Sequence, residues 1–451
     1  MTPRIRVRPE FFEAAHHYTA KINNPLGEGE SVKDAQSSIL TEALMPSATA
    51  ARVDEFRRSW TVVVAAALGS GLGISGLLTY NSGLFVKDLE GAIGLSRTQF
   101  GLAYFLATFA LACAMPVVGR AIDEKGVRLP TIVGSVALAI GFVALGTLTA
   151  SVPIYVAIMA AIGLFASASS PVGYTRAVNG VFDRARGLAL GLTQLGVGLA
   201  GAIIPPILGG VIQTHGWRIG FFFLAGFALL GTLPSLIGLR RQGAQGSQAP
   251  SKGPAFAEVR KSRLFWLQMA AFAVMALGFA GMLPHFVPML RDAGVSPQAA
   301  AEKAGLIGLA VIVSRVVVGW LADITEAPWI AATVCAICGT ACITLALGGP
   351  EYVTIAALAL GVAMGCEADL IGYMTVRYFG LASYGRAYAL QYAAFILATG
   401  VGPFWIGLLV DRTGGYRAPL IVCAALLAVA LVIFLFLPRT TDRNDQVKGR
   451  S

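Results

Sequence analysis

The sequence predicts an all-α membrane protein: twelve transmembrane helices in two six-helix, pseudo-symmetric halves. Three observations carry this. Of 451 residues, 56% are hydrophobic and only 13% charged, about half the charged share of an ordinary soluble domain. The apolar residues gather into stretches of roughly 20, long enough to cross a bilayer as helices. A short motif also occurs twice, each time closing an apolar stretch: Gly119-Arg-Ala-Ile-Asp123 and Gly319-Trp-Leu-Ala-Asp323. In each copy Gly and Asp stand about one turn apart on one helix face. The Gly is expected to admit a close neighbour. The Asp is expected to face a helix N-terminus or an Arg across the bundle.

Taken in order, residues 1–58 mix Pro, Gly, Glu, Ser and Lys and lack the apolar core of a secretory signal. They read as a mostly disordered tail with a surface helix somewhere in 33–58, and His16 and His17 read as solvated. The first half, 59–240, carries spans 1 to 6 at about 60–84, 98–118, 129–149, 153–175, 187–212 and 219–239. A polar linker follows at 241–262. The second half, 263–438, carries spans 7 to 12 at about 264–290, 302–322, 328–347, 353–376, 387–410 and 418–437, and a basic tail ends the chain at 439–451. Lys and Arg favour the loops at 119–128, 176–186 and 240–263 and both tails. This bias predicts both termini in the cytoplasm and a place in the cell (inner) membrane.

The repeat extends beyond the paired turns. Arg186 at the start of span 5 matches Arg386 at the start of span 11. Gly216-Trp217-Arg218 matches Gly415-Tyr416-Arg417. Pro205 and Pro403 are expected to break the corresponding helices. Gly69, Gly71 and Gly73, Gly196, Gly198 and Gly201, and Gly400 and Gly402 allow close contact and bending. Two six-helix halves in parallel repeat, meeting at a midplane site, describe a rocker-type secondary transporter.

Other classes lack support. The net charge of +10 is scattered among short loops, so no nucleic-acid partner is expected. There is no G-x-x-x-x-G-K-[ST] run for nucleotide phosphates and no nucleophile–base pair, so neither enzyme chemistry nor a cofactor is expected. Cys335, Cys338 and Cys342 share a helix face without an accompanying His or carboxylate. They read as packing, not as a metal site.

The loop GRAIDEKGVR, residues 119–128, resembles the G-x-x-x-D-R-x-G-x-R signature of the major facilitator superfamily, with Glu124 where Arg is usual. The resemblance covers residues 59 to 438. VFDRARGLALGLTQLGVGLAG (181–201), PHFVPMLRDAGVSPQAA (284–300) and SRVVVGWLAD (314–323) are similar to the monocarboxylate transporter and oxalate:formate antiporter branch. The resemblance implies a carrier of a small organic anion, a mono- or dicarboxylate, working by proton symport or anion exchange and complete as a monomer. A drug or metabolite exporter on the same fold and a non-transporting membrane sensor remain the alternatives.

Arg315, about thirteen residues into span 8, is the leading binding candidate. A charge at mid-bilayer needs a partner or a watery cavity, and a guanidinium grips a carboxylate with two hydrogen bonds. The resemblance also implies a substrate-binding Arg in this helix. Glu367 and Asp369 lie at matching depth in span 10. Two positions apart on a helix, they cannot both meet Arg315 equally well. A carboxyl that gains and loses a proton inside a transporter is the usual coupling device, so both are proton-coupling candidates. Animal-type monocarboxylate carriers place an Asp one turn before the Arg and a Lys in span 1; here those positions hold Val311 and Tyr80. Tyr80, Asn81, His285 and Gln391 are further substrate-binding candidates, because each offers a hydrogen-bonding group on a cavity-prone span. Gly119, Asp123, Arg128, Arg186, Gly319, Asp323 and Arg386 are expected to build a cytoplasmic gate.

Overall fold

A backbone crossing hydrocarbon must satisfy its own N–H and C=O groups, which makes the helix the local solution for every apolar stretch. A computed structural model describes residues 48–182, 185–239, 256–380 and 384–439, and the apolar stretches in it are helical. The chain divides into two units, Met1–Arg58 and Ser59–Ser451. In the first, residues 48–58 are helical. The rest of the expected tail, with His16 and His17, lies outside the described residues, as do linker residues 240–255 and the terminal 440–451.

Among the described residues, eleven helical stretches are long and apolar enough to cross a bilayer, and the shorter Val152–Phe165 supplies the start of the remaining span. Span 1 runs through Ala48–Gly71, Ile74–Asn81, a 3-10 turn at Ser82–Phe85 and Val86–Ile93. Span 2 is Arg97–Lys125, span 3 Arg128–Leu148, and span 4 Val152–Phe165 followed by Pro171–Asn179. Span 5 is Arg186–His215 and span 6 Trp217–Leu230 with Thr232–Ile237. Span 7 comprises Arg263–Phe279 and Met282–Asp292. Spans 8 to 12 are Pro297–Ile324, Ala327–Gly348, Val353–Phe379, Tyr384–Thr413 and Arg417–Leu435.

The repeat is visible in how helices begin and break. Span 2 starts with a capping box: Ser96 Oγ accepts from Gln99 N at 3.2 Å, and Gln99 Oε1 accepts from Ser96 N at 2.9 Å. Its counterpart, span 8, starts with Ser296 Oγ accepting from Ala299 N at 3.2 Å and Pro297 in the first turn. Spans 1 and 7 break at equivalent places, before Ile74 and before Met282. At the first break Ser169 Oγ accepts from Ile74 N at 3.2 Å, replacing a bond the kink removes. At the second, Gly281 lies against the backbone of Gly402. The prolines act otherwise than expected: Pro205 and Pro403 sit inside the continuous helices of spans 5 and 11. A membrane helix tolerates an interior Pro when neighbours take up the freed carbonyls.

Within the first half, span 2 packs on span 4 and span 3 on span 6; within the second, span 8 packs on span 10 and span 9 on span 12. The halves meet along two seams, span 5 with span 8 and span 2 with span 11. Small residues bring backbones together there. A Cβ on Gly198 would lie 2.8 Å from Ile312, and one on Gly400 would lie 3.1 Å from Thr108. Gly101 faces the Pro403 carbonyl and Gly407 the Arg97 carbonyl. These contacts occupy the middle of the molecule and the end opposite the linker, here called the far end. Toward the linker end, a Cβ on Gly119, Gly191 or Gly319 would meet nothing within 4 Å among the described residues. In this conformation Gly119 and Gly319 therefore seat no close neighbour among the described residues, and the described parts of the seams open toward the repeated turns.

Candidate functional site

The second half assembles its charged centre by helix register. Along span 10, Gly361, Gly365 and Asp369 recur every four residues and so share one face. Gly361 faces the Ile307 carbonyl of span 8, and a Cβ on Gly365 would lie 2.7 Å from the Val311 carbonyl. One turn further along both helices, Asp369 meets Arg315. Arg315 Nη1 donates to Asp369 Oδ2 at 3.1 Å. The residue before the arginine fastens the same pair of helices: Ser314 Oγ donates to the Val362 carbonyl at 2.9 Å. The stripe Gly-x-x-x-Gly-x-x-x-Asp in span 10 was the sequence signal for choosing between the two acids. Glu367, off this face, lies beside the pair without bonding Arg315 among the described residues.

The two partners differ in environment. The Arg315 side chain is 12% exposed, whereas that of Asp369 is 49% exposed although it lies mid-span. Groups from both halves surround them. Tyr80 of span 1 lies within electrostatic reach of Arg315 and Glu367, and Tyr392 of span 11 within reach of Glu367, Arg315 and Asp369. Gly201 makes room for the Tyr80 ring, since a Cβ there would lie 2.5 Å from it. Tyr392 stacks between Tyr388 and Phe395, with ring centroids 5.5 and 5.9 Å away. Asp369 is thus the exposed member of the pair. Arg315 Nε and Glu367 Oε2 are buried and have no hydrogen-bond partner among the described residues.

The other binding candidates make their hydrogen bonds elsewhere among the described residues. Asn81 is fully buried and donates through Nδ2 to the carbonyls of Leu77 and Gly76, at 2.9 and 3.3 Å, where span 1 tightens into its 3-10 turn. Gln391 is fully buried in a seam with Thr375 and Gln268: Thr375 Oγ1 donates to Gln391 Oε1 at 3.4 Å, and Gln268 Nε2 donates to Thr375 Oγ1 at 3.3 Å. His285 is also fully buried. Its Nε2 donates to the Pro403 carbonyl at 2.8 Å, its Nδ1 lies 3.0 Å from the Tyr416 hydroxyl, and its ring meets Phe100 edge-on. With both nitrogens taken, this imidazole ties span 7 to the loop and helix of span 11 and has none left for a carboxylate in this conformation. Burial pushes the Tyr416 phenol above its ordinary value, and the Arg97 guanidinium works against that shift.

Around His285 lies a cluster of charges that the sequence had not singled out. Arg97 Nη2 donates to both oxygens of Asp292, at 2.8 and 2.9 Å, and lies 3.1 Å from Glu90. Lys87 also reaches Asp292, at 3.1 Å. Arg291 pairs with Asp88 through two hydrogen bonds, at 2.7 and 3.3 Å. Asp411 of span 11 accepts from the backbone N–H groups of Arg97 and Thr98, at 3.2 and 2.8 Å, capping span 2 from the opposite half. In sequence these are charges scattered over three far-end loops, each reading as solvated. Only tertiary contact shows that they bolt one half to the other.

The expected gate is positioned in part. Gly119 and Asp123 lie in the last turns of span 2, and Gly319 and Asp323 in the last turns of span 8. Arg128 is exposed at the start of span 3. Arg186 and Arg386 lie at the start of spans 5 and 11. The side chains of Asp123, Arg186, Asp323 and Arg386 are outside the described residues. Next to Asp323, Tyr373 donates to the Ala322 carbonyl at 2.7 Å and accepts from Arg377 Nη2 at 3.0 Å, so Arg377 helps hold spans 8 and 10 together at the linker end. Cys335, Cys338 and Cys342 are buried in span 9, with free thiols.

Comparison with known proteins agrees with this architecture. The chain matches the sequence profile of the Major Facilitator Superfamily over residues 63–367 and 349–451. It is 27% identical over 398 residues to Monocarboxylate transporter 11 of Mus musculus, covering 84% of this chain and 88% of that protein. It is 26% identical over 232 residues to the Oxalate:formate antiporter of Oxalobacter formigenes, covering 49% of this chain and 54% of that protein. In fold it is similar to a bacterial homolog of the human lysosomal transporter Spinster, solved inward-facing and unoccupied. The TM-score is 0.66 at 16% identity, covering 83% of this chain and 96% of that one. With twelve spans in two halves and this match over most of its length, the chain belongs to the Major Facilitator Superfamily and is a multi-pass membrane transporter of small molecules, not an enzyme.

Proposed function

We propose that this transporter carries a small organic anion, a mono- or dicarboxylate, and that Arg315 is its anchor. The observation that carries the reading is the Arg315–Asp369 pair. A mostly buried guanidinium is held by one hydrogen bond to an acid that is half exposed. Asp369 stands where a substrate carboxylate would bind and is the group such a carboxylate would displace. Once displaced, an ionised Asp369 would be left without its cation at mid-membrane depth. Uptake of a proton removes that charge. Carboxylate and proton then enter together, and the loaded and unloaded sites carry the same net charge, which makes the symport electroneutral. Of the two acids at this depth, Asp369 is therefore the coupling residue.

The far-end ion pairs hold the halves together opposite the linker, while the seams part toward it. With the Lys- and Arg-rich loops on the cytoplasmic side, this conformation faces inward. Transport requires the far-end pairs to separate as the turns at Asp123 and Asp323 close, with each monomer holding a complete site. The relatives that share this chain's pattern include proteins named for monocarboxylates and for oxalate and formate, which supports an anionic substrate. The test is uptake of labelled carboxylates by proteoliposomes, with and without an inward proton gradient, for wild type and Arg315→Gln. Accumulation in wild type only, enhanced by the gradient, supports proton symport. Gradient-independent exchange points to antiport. Equal transport by the variant refutes the anchor role.

A further inference from the structure

His285 lies where the halves meet at the far end, and the two halves treat it differently. Its own half holds both ring nitrogens, through the Pro403 carbonyl and the Tyr416 hydroxyl. A carbonyl only accepts, so Nε2 carries a hydrogen, and in the neutral ring Nδ1 accepts from the phenol. The first half supplies the cover. Phe100 of span 2 meets the ring edge-on, with centroids 5.5 Å apart, and Gly83 of span 1 faces the Pro284 carbonyl next to it. Span 2 also brings a cation, since Arg97 lies within electrostatic reach of both His285 and Tyr416.

The other charges facing the ring are Asp292 on its own helix and Asp411 on span 11. Both acids are engaged, Asp292 by Arg97 and Lys87, and Asp411 by the backbone at the start of span 2. Val86–Ile93 packs on the same helix; its Lys87 and Glu90 join the Arg97 cluster and its Asp88 pairs with Arg291. Span 8 packs there too, with Glu302 accepting from Gln298 and Lys303 donating to Thr354. The closed far end therefore has a place for the neutral ring and none for an imidazolium, whose charge would sit dry beside a guanidinium.

Resting on the alternating access read above, we propose that His285 is a second proton-binding site, distinct from Asp369 and opened to the far side when the halves part there. Phe100 and Arg97 leave together, because both ride on span 2. Pro403 and Tyr416 stay with His285, because all three belong to the second half. Water then reaches Nδ1, the Tyr416 hydroxyl turns to accept, and the ring takes a proton from solution. The far end closes again only when that proton leaves. A proton bound by the open form alone favours opening as pH falls. An imidazole in water binds its proton near about pH 6.5, so the ratio of open to closed is expected to rise about tenfold from about pH 7.5 to about pH 5.5.

The test measures the far-end distance in the full-length protein in nanodiscs by double electron–electron resonance. Spin labels sit on Ala92→Cys and Thr413→Cys, exposed far-end positions of opposite halves, in a background with the exposed cysteine removed by Cys113→Ser. The ratio of longer to shorter distances is expected to rise about tenfold over that range, beginning near about pH 6.5. It is expected to change less than about twofold in His285→Gln, which keeps an N–H for the Pro403 carbonyl and binds no proton. The rise is expected to persist in Asp369→Asn. A longer population whose share ignores pH overturns the inference and leaves alternating access standing. A rise that persists in a folded His285→Gln, or vanishes in Asp369→Asn, places the proton on another group and overturns it. So does a rise that begins only near about pH 4, where ordinary carboxylates titrate. If no longer population exists at any pH, with or without a carboxylate, the far end does not open and both readings fall. The wild-type and Asp369→Asn titrations decide the matter even if His285→Gln does not fold.

Discussion

Replacing Asp369 with Asn removes the internal competitor for Arg315 while keeping the shape of the side chain. The ion pair consists of one 3.1 Å hydrogen bond with a half-exposed acid. Exposed pairs contribute about 0.2–1 kcal/mol, and the buried arginine places this one near the upper end, at about 1 kcal/mol. A carboxylate that no longer has to displace Asp369 should bind more tightly by that amount, about fivefold. The variant should also lose proton-driven accumulation, since the neutral amide cannot take up the proton. Two measurements check this on the same preparation: affinity for a transported carboxylate by isothermal calorimetry, and its accumulation in proteoliposomes under an inward proton gradient. A melting temperature close to wild type would show that the fold survives. Unchanged affinity together with intact gradient-driven accumulation would refute the reasoning, because Asp369 would then neither compete for Arg315 nor carry the proton.

Asp411→Ala removes the cap that the second half places on span 2, which should weaken the far-end closure by about 1 kcal/mol. Labelling by an externally added maleimide at Ser82→Cys, a buried position, should rise about fivefold in a background lacking the exposed Cys113; no change would show that the cap does not hold the closure. Gly365→Leu puts a side chain where span 8 backbone already stands. Overpacking of about 1–3 kcal/mol should lower the melting temperature and abolish transport by parting Arg315 from Asp369, and normal transport would contradict the register described above. His285→Phe leaves the Tyr416 hydroxyl and the Pro403 carbonyl without their partner, a loss of about 2 kcal/mol. It should lower the melting temperature with substrate affinity unchanged, whereas lost affinity at normal stability would return His285 to the binding site.

The sequence by itself determined that this chain lives in a membrane, that it crosses in twelve spans, and that its halves repeat. Each of these follows from local quantities: the length of an apolar run, the spacing of a motif, the charge of a loop. It also placed Arg315, Glu367 and Asp369 at one depth, because rise per residue converts position along a helix into depth. Tertiary structure alone decided which groups meet. Asp369 pairs with Arg315 and Glu367 does not, because Gly361 and Gly365 let span 10 lie against span 8 in one register. His285 is spent on holding helices together, because its partners Pro403 and Tyr416 come from far away in the chain, whereas Gln391 Oε1 is taken by Thr375 of the neighbouring span and its Nε2 has no partner among the described residues. The far-end ion pairs were invisible beforehand for the same reason: a surface charge and half of an inter-half bolt look alike until the helices are packed. Local spacing sets the face and depth of a side chain, but helix tilt and helix–helix approach set its partner, and those are settled by packing over the whole bundle.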